Sequence, residues 1–263
     1  MAMLEQLKNN QLKNIGIYFI PNVFIMLLPL LHLPIILNNL STKDYGVYTI
    51  AIAISSFIIS LSDFSLLNVY DRDFFKYSSE SSIKLLFSII SFVCISFLML
   101  GFFFLVFKEN ISNYIFKDRR FGQILFFIFL GIGFKSCISY YLIYFKNKGK
   151  SLYHVLINLA LTFTTVILDI FFVAILKIGL LGLALSLLVS SFSIFFLISL
   201  YFILKNKIAL KLEYLKDSLK LSVALIPTTI MSGLSKQFDK YFVSVLESLG
   251  SAGVYALSHR ISN

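Results

Sequence analysis

The amino-acid sequence predicts an all-α, polytopic transmembrane helical bundle. Hydrophobic residues make up 58% of the chain and charged residues only 14%, and the apolar residues gather in long runs. Soluble domains carry about 25% charged residues, so this chain lacks the polar surface that water requires. A bilayer removes that requirement, because the outer face of the protein then meets hydrocarbon.

Seven apolar runs reach the roughly 20 residues that a membrane-spanning helix needs. An eighth begins near Val254 and ends with the sequence at Asn263, so we expect the front part of a longer protein or a truncated product. The links between the runs are too short to hold a further domain. The predicted spans are Ile15–Leu37, Tyr45–Val69, Leu85–Phe107, Phe121–Phe145, Leu152–Leu176, Ile178–Leu204 and Leu219–Leu246.

The basic residues predict the orientation of the bundle. Lysine and arginine give the chain a net charge of +10, and they collect in the short links, where they indicate topology rather than nucleic-acid binding. With the N-terminus inside, twelve of them lie on the inner side and six on the outer side. We therefore expect a multi-pass protein of the bacterial inner (cytoplasmic) membrane with a cytoplasmic N-terminus.

Two short motifs occur twice. Ile20-Pro21 recurs as Ile226-Pro227, and Gly46-Val47-Tyr48 recurs as Gly253-Val254-Tyr255, 206 or 207 residues later. Six predicted helices separate the copies, so both copies point the same way, as in the parallel repeats of two-lobed transporters. We predict a six-helix lobe at 1–204, a cytoplasmic link at 205–218 and an incomplete second lobe at 219–263. The prolines are candidate gating kinks.

Helix five carries a polar face. Its polar residues are spaced by 4, 4, 3 and 4 positions, which places them on one side of a helix. This face is either the wall of a water-filled cavity, with its carboxylate as an ion-coupling site, or a packing interface between helices. The residues are His154, Asn158, Thr162, Thr165 and Asp169.

Further charges lie in other predicted spans, where each costs about 2.5–3.5 kcal/mol at the membrane centre. Asp63 is either an ion-coupling residue or an interfacial carboxylate bonded to backbone. Lys135 either faces a cavity or pairs with Asp63 or Asp169. A last group forms either a cationic lining with one coupling carboxylate or a self-neutralised packing cluster, and consists of Lys236, Asp239, Lys240 and Arg260.

The sequence offers no pattern that predicts an enzyme. The links carry no metal-ligand spacing, glycine-rich phosphate loop or nucleophile motif, and the outer links are too short for a catalytic domain. We therefore expect no enzymatic activity, no metal and no cofactor. Cys94 and Cys137 lie inside apolar runs, so a disulfide framework is not expected.

Several segments together carry a family resemblance. They are Leu40-Ser41-Thr42-Lys43-Asp44-Tyr45-Gly46-Val47-Tyr48 with Asp63 and Arg72, Tyr144-Phe145-Lys146-Asn147-Lys148-Gly149-Lys150, Ile226-Pro227, Asp239-Lys240-Tyr241 and Gly253-Val254-Tyr255. With them the chain resembles the polysaccharide (O-antigen type) flippases of the multidrug/oligosaccharidyl-lipid/polysaccharide exporter superfamily. Members usually carry arginine after the aspartate of the fourth segment, where this chain has Lys240, which keeps the charge but not the planar guanidinium fork.

The resemblance implies the first lobe of a two-lobed, MATE-like transporter fold. It also implies flipping of an undecaprenyl-diphosphate-linked oligosaccharide across the inner membrane, for O-antigen and lipopolysaccharide biosynthesis. The expected partners are this lipid-linked substrate, the bilayer and other polysaccharide-assembly membrane proteins, with no nucleic acid. The alternative is a drug or metabolite exporter of the same superfamily. As substrate-contacting residues we predict Lys135, Lys236, Lys240 and Arg260 for the diphosphate and Asn158, Thr162 and Thr165 for the sugar, and as ion-coupling residues Asp169, Asp239 and Asp63.

Overall fold

The structure, a computed structural model, describes residues 21, 23–206 and 210–262, without the side chains of residues 79, 234–241, 245 and 259–262. In this part of the chain, the regular secondary structure is helical and no strand occurs. Five of the described helices are long and apolar enough to cross a membrane. The predicted all-α transmembrane bundle is therefore confirmed.

The described helices follow one another with short connections. In chain order they are α1 (Val23–Leu37), α2 (Thr42–Ser62), α3 (Leu66–Asp73), α4 (Ser79–Phe116), α5 (Gly122–Asn147), α6 (Ser151–Asp169), α7 (Leu180–Lys205), α8 (Leu212–Leu246) and α9 (Leu249–Ser262). Helix α1 bends at His32, and its last part is Leu33–Leu37. Helix α6 continues as a π-helix over Ile170–Ile175.

The predicted second span, Tyr45–Val69, is interrupted in the structure. It begins earlier, at Thr42, because the Ser41 hydroxyl accepts a hydrogen bond from the Asp44 amide at 3.1 Å and so caps the helix. It ends at Ser62, and Phe64 and Ser65 then adopt left-handed backbone conformations before α3 begins. The Asp63 carboxylate accepts a hydrogen bond from the Leu67 amide at 3.3 Å and thereby stabilises the restart.

The third span is longer than predicted. The apolar run Leu85–Phe107 suggested a link from residue 108 onward, whereas α4 extends over 38 residues to Phe116. At 1.5 Å per residue this is roughly 57 Å, well beyond the ~30 Å of a bilayer's hydrocarbon core. Residues 108–116 contain neither glycine nor proline, so nothing in their sequence ends the helix at the apolar boundary.

Helix α5 lies at the centre of the bundle and packs against α2, α4, α6 and α7. Two of its glycines allow this close approach. A Cβ at Gly131 would lie 2.9 Å from the Leu187 side chain of α7, and one at Gly133 would lie 2.7 Å from the Phe97 ring of α4. Small residues at helix crossings allow the van der Waals contact that holds membrane helices together.

The two ends of the bundle are distinguished by contacts between connections. At one end, Lys146 pairs with Asp71 at 3.1 Å, and the Lys211 amide donates to the Ser88 hydroxyl at 2.9 Å. We name this the basic end; it carries Lys76, Lys148, Lys150 and Lys205. The opposite end, named the far end, carries Leu40, Lys117, Gly179 and Leu249. The predicted orientation would make the basic end cytoplasmic.

Candidate functional site

A cavity of about 1010 Å³ lies between α1, α2, α5, α6 and α7, with α9 contributing to its rim. Its lining combines leucine, isoleucine and valine side chains with a smaller number of polar groups, as ligand sites commonly do. The polar residues that line it are His32, Tyr45, Tyr48, Thr49, Lys135, Asn158, Thr162, Thr165, Asp169 and Ser191.

The helix five of the sequence prediction is α6 of the structure. Four of the five polar residues predicted on its one face line this cavity: Asn158, Thr162, Thr165 and Asp169. The fifth, His154, lies nearer the basic end and is not among the described lining residues. Thr165 also donates to the Ser190 hydroxyl of α7 at 2.9 Å. The cavity-wall and packing interpretations therefore each describe part of the same face.

Asp169 is the most buried polar residue of that face, with 5% of its surface exposed. One of its carboxylate oxygens accepts a hydrogen bond from the Ser186 hydroxyl of α7. The other lies 3.1 Å from Nε2 of His32, which is itself 7% exposed. The sequence interpretation missed His32, although its position between Pro29 and Pro34 of the first span was visible.

The His32–Asp169 contact joins two irregular points of the helices. His32 occupies the bend of α1, and Asp169 is the last residue of α6 before its π-helical continuation. Within that continuation the Leu176 amide donates to the Phe171 carbonyl, five residues back, at 2.9 Å. Short π-helical segments occur frequently at functional sites, and this one begins directly after the carboxylate that lines the cavity.

Lys135 lines the cavity from α5. The carboxylates named as its possible partners have other contacts: Asp169 with His32 and Ser186, and Asp63 with Tyr140. Whether Lys135 acts as a cavity-facing charge or pairs with one of these carboxylates stays a prediction.

Asp63 lies apart from the cavity. It is buried, and it accepts hydrogen bonds from the Tyr140 hydroxyl and the Leu67 amide. Two residues later, the Ser65 hydroxyl lies 2.5 Å from that of Thr229 in α8. These contacts resemble those of the interfacial carboxylate that the sequence suggested, and an ion-coupling role for Asp63 stays a prediction.

The remaining predicted site residues are only partly described. The side chains of Lys236, Asp239, Lys240 and Arg260 lie outside the described residues. Pro227 lies inside α8, which continues through it. Pro21 is a half-buried helical residue. Whether either proline acts as a gating kink stays a prediction.

The two copies of the repeated Gly-Val-Tyr motif cross each other at the far end. A Cβ at Gly253 would lie 2.5 Å from the Thr42 carbonyl oxygen, and a Cβ at Gly46 would overlap the Leu249 carbonyl oxygen. The contact is reciprocal, since each glycine meets the first turn of the other helix. The caps match as well: Ser248 accepts from the Ser251 amide at 3.1 Å, just as the equivalent serine caps α2.

Long apolar helices around a cavity with a minority of polar lining residues define a multi-pass membrane protein. A family model described as "Polysaccharide biosynthesis protein" matches residues 11–263. The chain belongs to this family, that of the polysaccharide and O-antigen flippases, and the predicted relationship is confirmed.

The structural comparison supports the fold. A solved structure, "protein A", superimposes with a TM-score of 0.72 over 95% of this chain, at 15% sequence identity. This chain spans 59% of the length of that solved chain. At this identity the likeness shows a shared fold only. No curated protein matches the sequence.

Proposed function

We propose that this chain forms part of a flippase that moves an oligosaccharide linked to undecaprenyl diphosphate across the bacterial inner membrane. The observation that carries the proposal is the cavity: a polar face of α6 stands in one chamber with Lys135 of α5, inside a bundle with apolar outer surfaces. A volume of about 1010 Å³ is at the upper end for small-molecule sites, so a diphosphate and its first sugars can enter.

The chemistry of the substrate matches these groups. A diphosphate is anionic, and its transfer into a low-dielectric interior is costly unless a cation offsets the lost hydration. Lys135 supplies that cation, and Lys236, Lys240 and Arg260 are proposed as further diphosphate contacts. The amide and hydroxyls of Asn158, Thr162 and Thr165 offer hydrogen bonds to sugar hydroxyls. The lipid tail remains in the bilayer.

A drug or metabolite exporter of the same superfamily is the second candidate. An exporter of cationic drugs is best served by a carboxylate facing its cavity. Here both oxygens of Asp169 already contact Ser186 and His32, while Lys135 brings a positive charge to the lining. This arrangement favours an anionic substrate and therefore the flippase.

The test is a deletion of the gene in its host, read out as surface polysaccharide and as lipid-linked intermediates. We expect the deletion to remove the polymer and to accumulate intermediates on the cytoplasmic side, because polymerisation needs flipped substrate. An intact polymer would refute the proposal and leave the exporter to be tested. Complementation with these 263 residues alone then shows whether they suffice.

A variant series locates the substrate contact within the same assay. Lys135→Gln should lower polymer production at least tenfold, whereas Lys135→Arg, which keeps the cation, should retain most of it. Lys177→Gln, at an exposed lysine of the far end, is the matched control and should have no effect. Equal production in all three strains would remove Lys135 from the proposed site.

A further inference from the structure

A group of basic side chains gathers at the far end, around the turn 117–121 that joins α4 to α5. With the predicted orientation this end faces the periplasm, whereas basic residues normally favour the cytoplasmic side of a membrane. The group therefore does not follow from topology alone. We name it the far-end basic cluster, and its members are Lys43, Lys108, Lys117, Arg119 and Arg120.

The turn is held in place by its own contacts. The buried Ser112 hydroxyl donates to the Asp118 carbonyl oxygen at 2.6 Å. The Asp118 carboxylate accepts hydrogen bonds from the Arg120 amide at 2.9 Å and from the Arg120 guanidinium at 2.7 Å. The rings of Phe116 and Phe121 meet edge to face, with their centres 5.8 Å apart. The turn therefore presents its basic side chains from an ordered backbone, which lowers the entropy cost of binding a ligand.

Most charges of the cluster lack an acidic partner. Asp118 pairs with Arg120, whereas no carboxylate in the described part of the chain forms a salt bridge with the other four members. The hydrogen bonds from Arg120 lower the pKa of Asp118 most, and the positive charge of Lys43 lowers it further. The first turn of α2, which carries Lys43, therefore lies beside the turn 117–121.

The cluster lies at the level of the lipid headgroups. The apolar run of α4 ends at Phe107, and Lys108 follows directly. A Cβ at Gly122 would lie 2.9 Å from the Lys108 carbonyl oxygen, so the start of α5 is level with this boundary. Arg119 comes three residues before Gly122, and at about 2 Å per residue of a 3₁₀ turn it stands no more than about 6 Å above the boundary. The polar layer on each side of a bilayer is roughly 5–7 Å thick.

The backbone of Lys117 adds a separate observation. Lys117 follows the end of α4 in the left-handed conformation, with a φ of 57°, where glycine is the usual residue. Its ammonium group lies 5.8 Å from the centre of the Tyr114 ring, and Tyr114 is 78% exposed. Tyrosine is enriched where a membrane protein meets the headgroups. A cation is thus kept at a position where the backbone favours glycine.

We propose that the far-end basic cluster binds the phosphate of an anionic phospholipid, such as phosphatidylglycerol, in the leaflet at the far end. Arg119 binds the phosphate through its planar guanidinium, which can donate two parallel hydrogen bonds. Lys43 contributes a charge from α2 and Lys108 one from the end of the apolar run. The bound lipid therefore links the first turn of α2 to the connection between α4 and α5. The proposal is independent of the molecule that is transported.

The surface next to the cluster favours a lipid over an acidic protein segment. On the membrane side of Lys108, α4 exposes Phe102, Phe103 and Val106, each by more than half of its surface. A phospholipid uses both surfaces, because its acyl chains cover these apolar residues while its phosphate contacts the cations. An acidic segment in the water phase would use the cations alone.

The test uses the absence of tryptophan from the sequence. A single reporter is introduced as Phe107→Trp, at a residue that is 40% exposed and directly precedes Lys108. The protein is reconstituted in mixtures of phosphatidylcholine and phosphatidylglycerol, in which either one or the other carries brominated acyl chains that quench nearby tryptophan. The two quenching curves give the local preference for the anionic lipid. One basic residue at a membrane surface contributes a preference of about fivefold, so we expect at least this value.

Matched variants assign the preference to the cluster. Arg119→Gln and Lys43→Gln should each lower it by up to about fivefold, since each removes one charge. Lys117→Gly should also lower it, and this variant suits the left-handed position and therefore folds at least as well. Lys211→Gln removes the same charge from an exposed lysine at the basic end, and it should leave the preference unchanged.

Two results would overturn the proposal. Equal binding of the two lipids next to the reporter would show that the cluster does not select an anionic headgroup, and would leave an acidic protein segment as its partner. A preference that persists in the double variant Lys43→Gln/Arg119→Gln would show that these residues do not hold the phosphate. The measurement involves no transport, so a failure of the proposed flippase would leave its outcome unaffected.

Discussion

Replacing Gly253 by alanine should open the far end of the cavity. The added Cβ would lie 2.5 Å from the Thr42 carbonyl oxygen and 3.0 Å from the Gly46 amide nitrogen. Both are backbone atoms of α2, so no side-chain rotation can relieve the overlap, and ordinary contact begins near 3.4 Å. The two helices must therefore separate by about 0.9 Å, which is the difference between the 2.5 Å of the overlap and the 3.4 Å of ordinary contact.

The expected size follows from the cost of overpacking. An added methyl group in a well-packed contact costs about 1–3 kcal/mol. If that cost falls on the state in which the helices cross, the open state gains roughly 5- to 150-fold in relative population, since about 1.4 kcal/mol corresponds to a factor of ten. Gly46→Ala should act more strongly, because its Cβ would overlap the Leu249 carbonyl oxygen.

The assay measures how fast a buried cysteine reacts from the water phase. Ala256→Cys, at a position that is 6% exposed and lines the cavity, is labelled with a membrane-impermeant maleimide in a background without native cysteines. Gly250→Ala is the matched control. A Cβ at Gly250 meets only hydroxyl oxygens, at 3.7 and 3.8 Å, and it brings the same gain in helix propensity.

We expect faster labelling in Gly253→Ala by the factor given above, and an unchanged rate in Gly250→Ala. We call the contact of Gly46 with Gly253, where α2 and α9 cross, the glycine crossing. Equal rates in the two variants would refute the reasoning, because the glycine crossing would then not hold the far end closed. The fraction of folded protein, measured by size-exclusion chromatography in detergent, must be comparable in both variants for the rates to be compared.

Three further predictions concern contacts outside the glycine crossing. Tyr140→Phe removes the hydroxyl that donates to the buried Asp63 carboxylate, so the free energy of unfolding, measured by thermal unfolding in detergent, should fall by about 1–3 kcal/mol. Tyr141→Phe should lower it by less, and equal losses in the two variants would contradict the prediction. Thr165→Val removes the hydrogen bond to Ser190 and should lower the free energy of unfolding by about 0.6 kcal/mol in the same measurement. An unchanged free energy would mean that the hydroxyls of Thr165 and Ser190 do not depend on each other as hydrogen-bond partners. The hydrogen bonds from Arg120 hold the pKa of the half-buried Asp118 at about 2, below its ordinary 3.8, so stability from this carboxylate is present above pH 3.8 and is lost as the pH falls through about 2. In ¹³C carboxyl titrations, Arg120→Gln should return that pKa towards its ordinary value and Arg119→Gln should not.

The polar face of α6 could be predicted because the helical period alone determines it. Residues spaced by three and four positions share a side of a helix whatever surrounds it, and four of the five predicted residues do line one cavity. The spans could be predicted for a similar reason, since apolar length is a local property of the sequence. The continuation of α4 was missed because a helix ends at a breaker or a cap, not where hydropathy falls.

The contact of His32 with Asp169 could not be predicted from the neighbours of His32 in the sequence. A single histidine in an apolar run has many interpretations, and its partner Asp169 lies 137 residues away. The helix break after Ser62 was equally hidden, because Phe64 and Ser65 are not glycines and their left-handed conformations depend on the contacts of Asp63. In both cases the decisive interaction is tertiary.

The repeated motif and the cavity are parts of one arrangement. A displacement of 207 residues, which relates Gly46 to Gly253, also relates Thr49 to Ala256, and both of these residues line the cavity. The cavity therefore extends across the point where the two copies meet, so the glycine crossing forms its boundary at the far end. Leu33 packs against Tyr45 and Ala256 at this same boundary, one residue from His32. The contact of His32 with Asp169 is thus separated from the glycine crossing by a single packed side chain, that of Leu33. A Leu33→Ala variant should therefore raise the labelling rate at residue 256, because it removes the side chain that packs against this boundary, and an unchanged rate would show that Leu33 does not contribute to the closure.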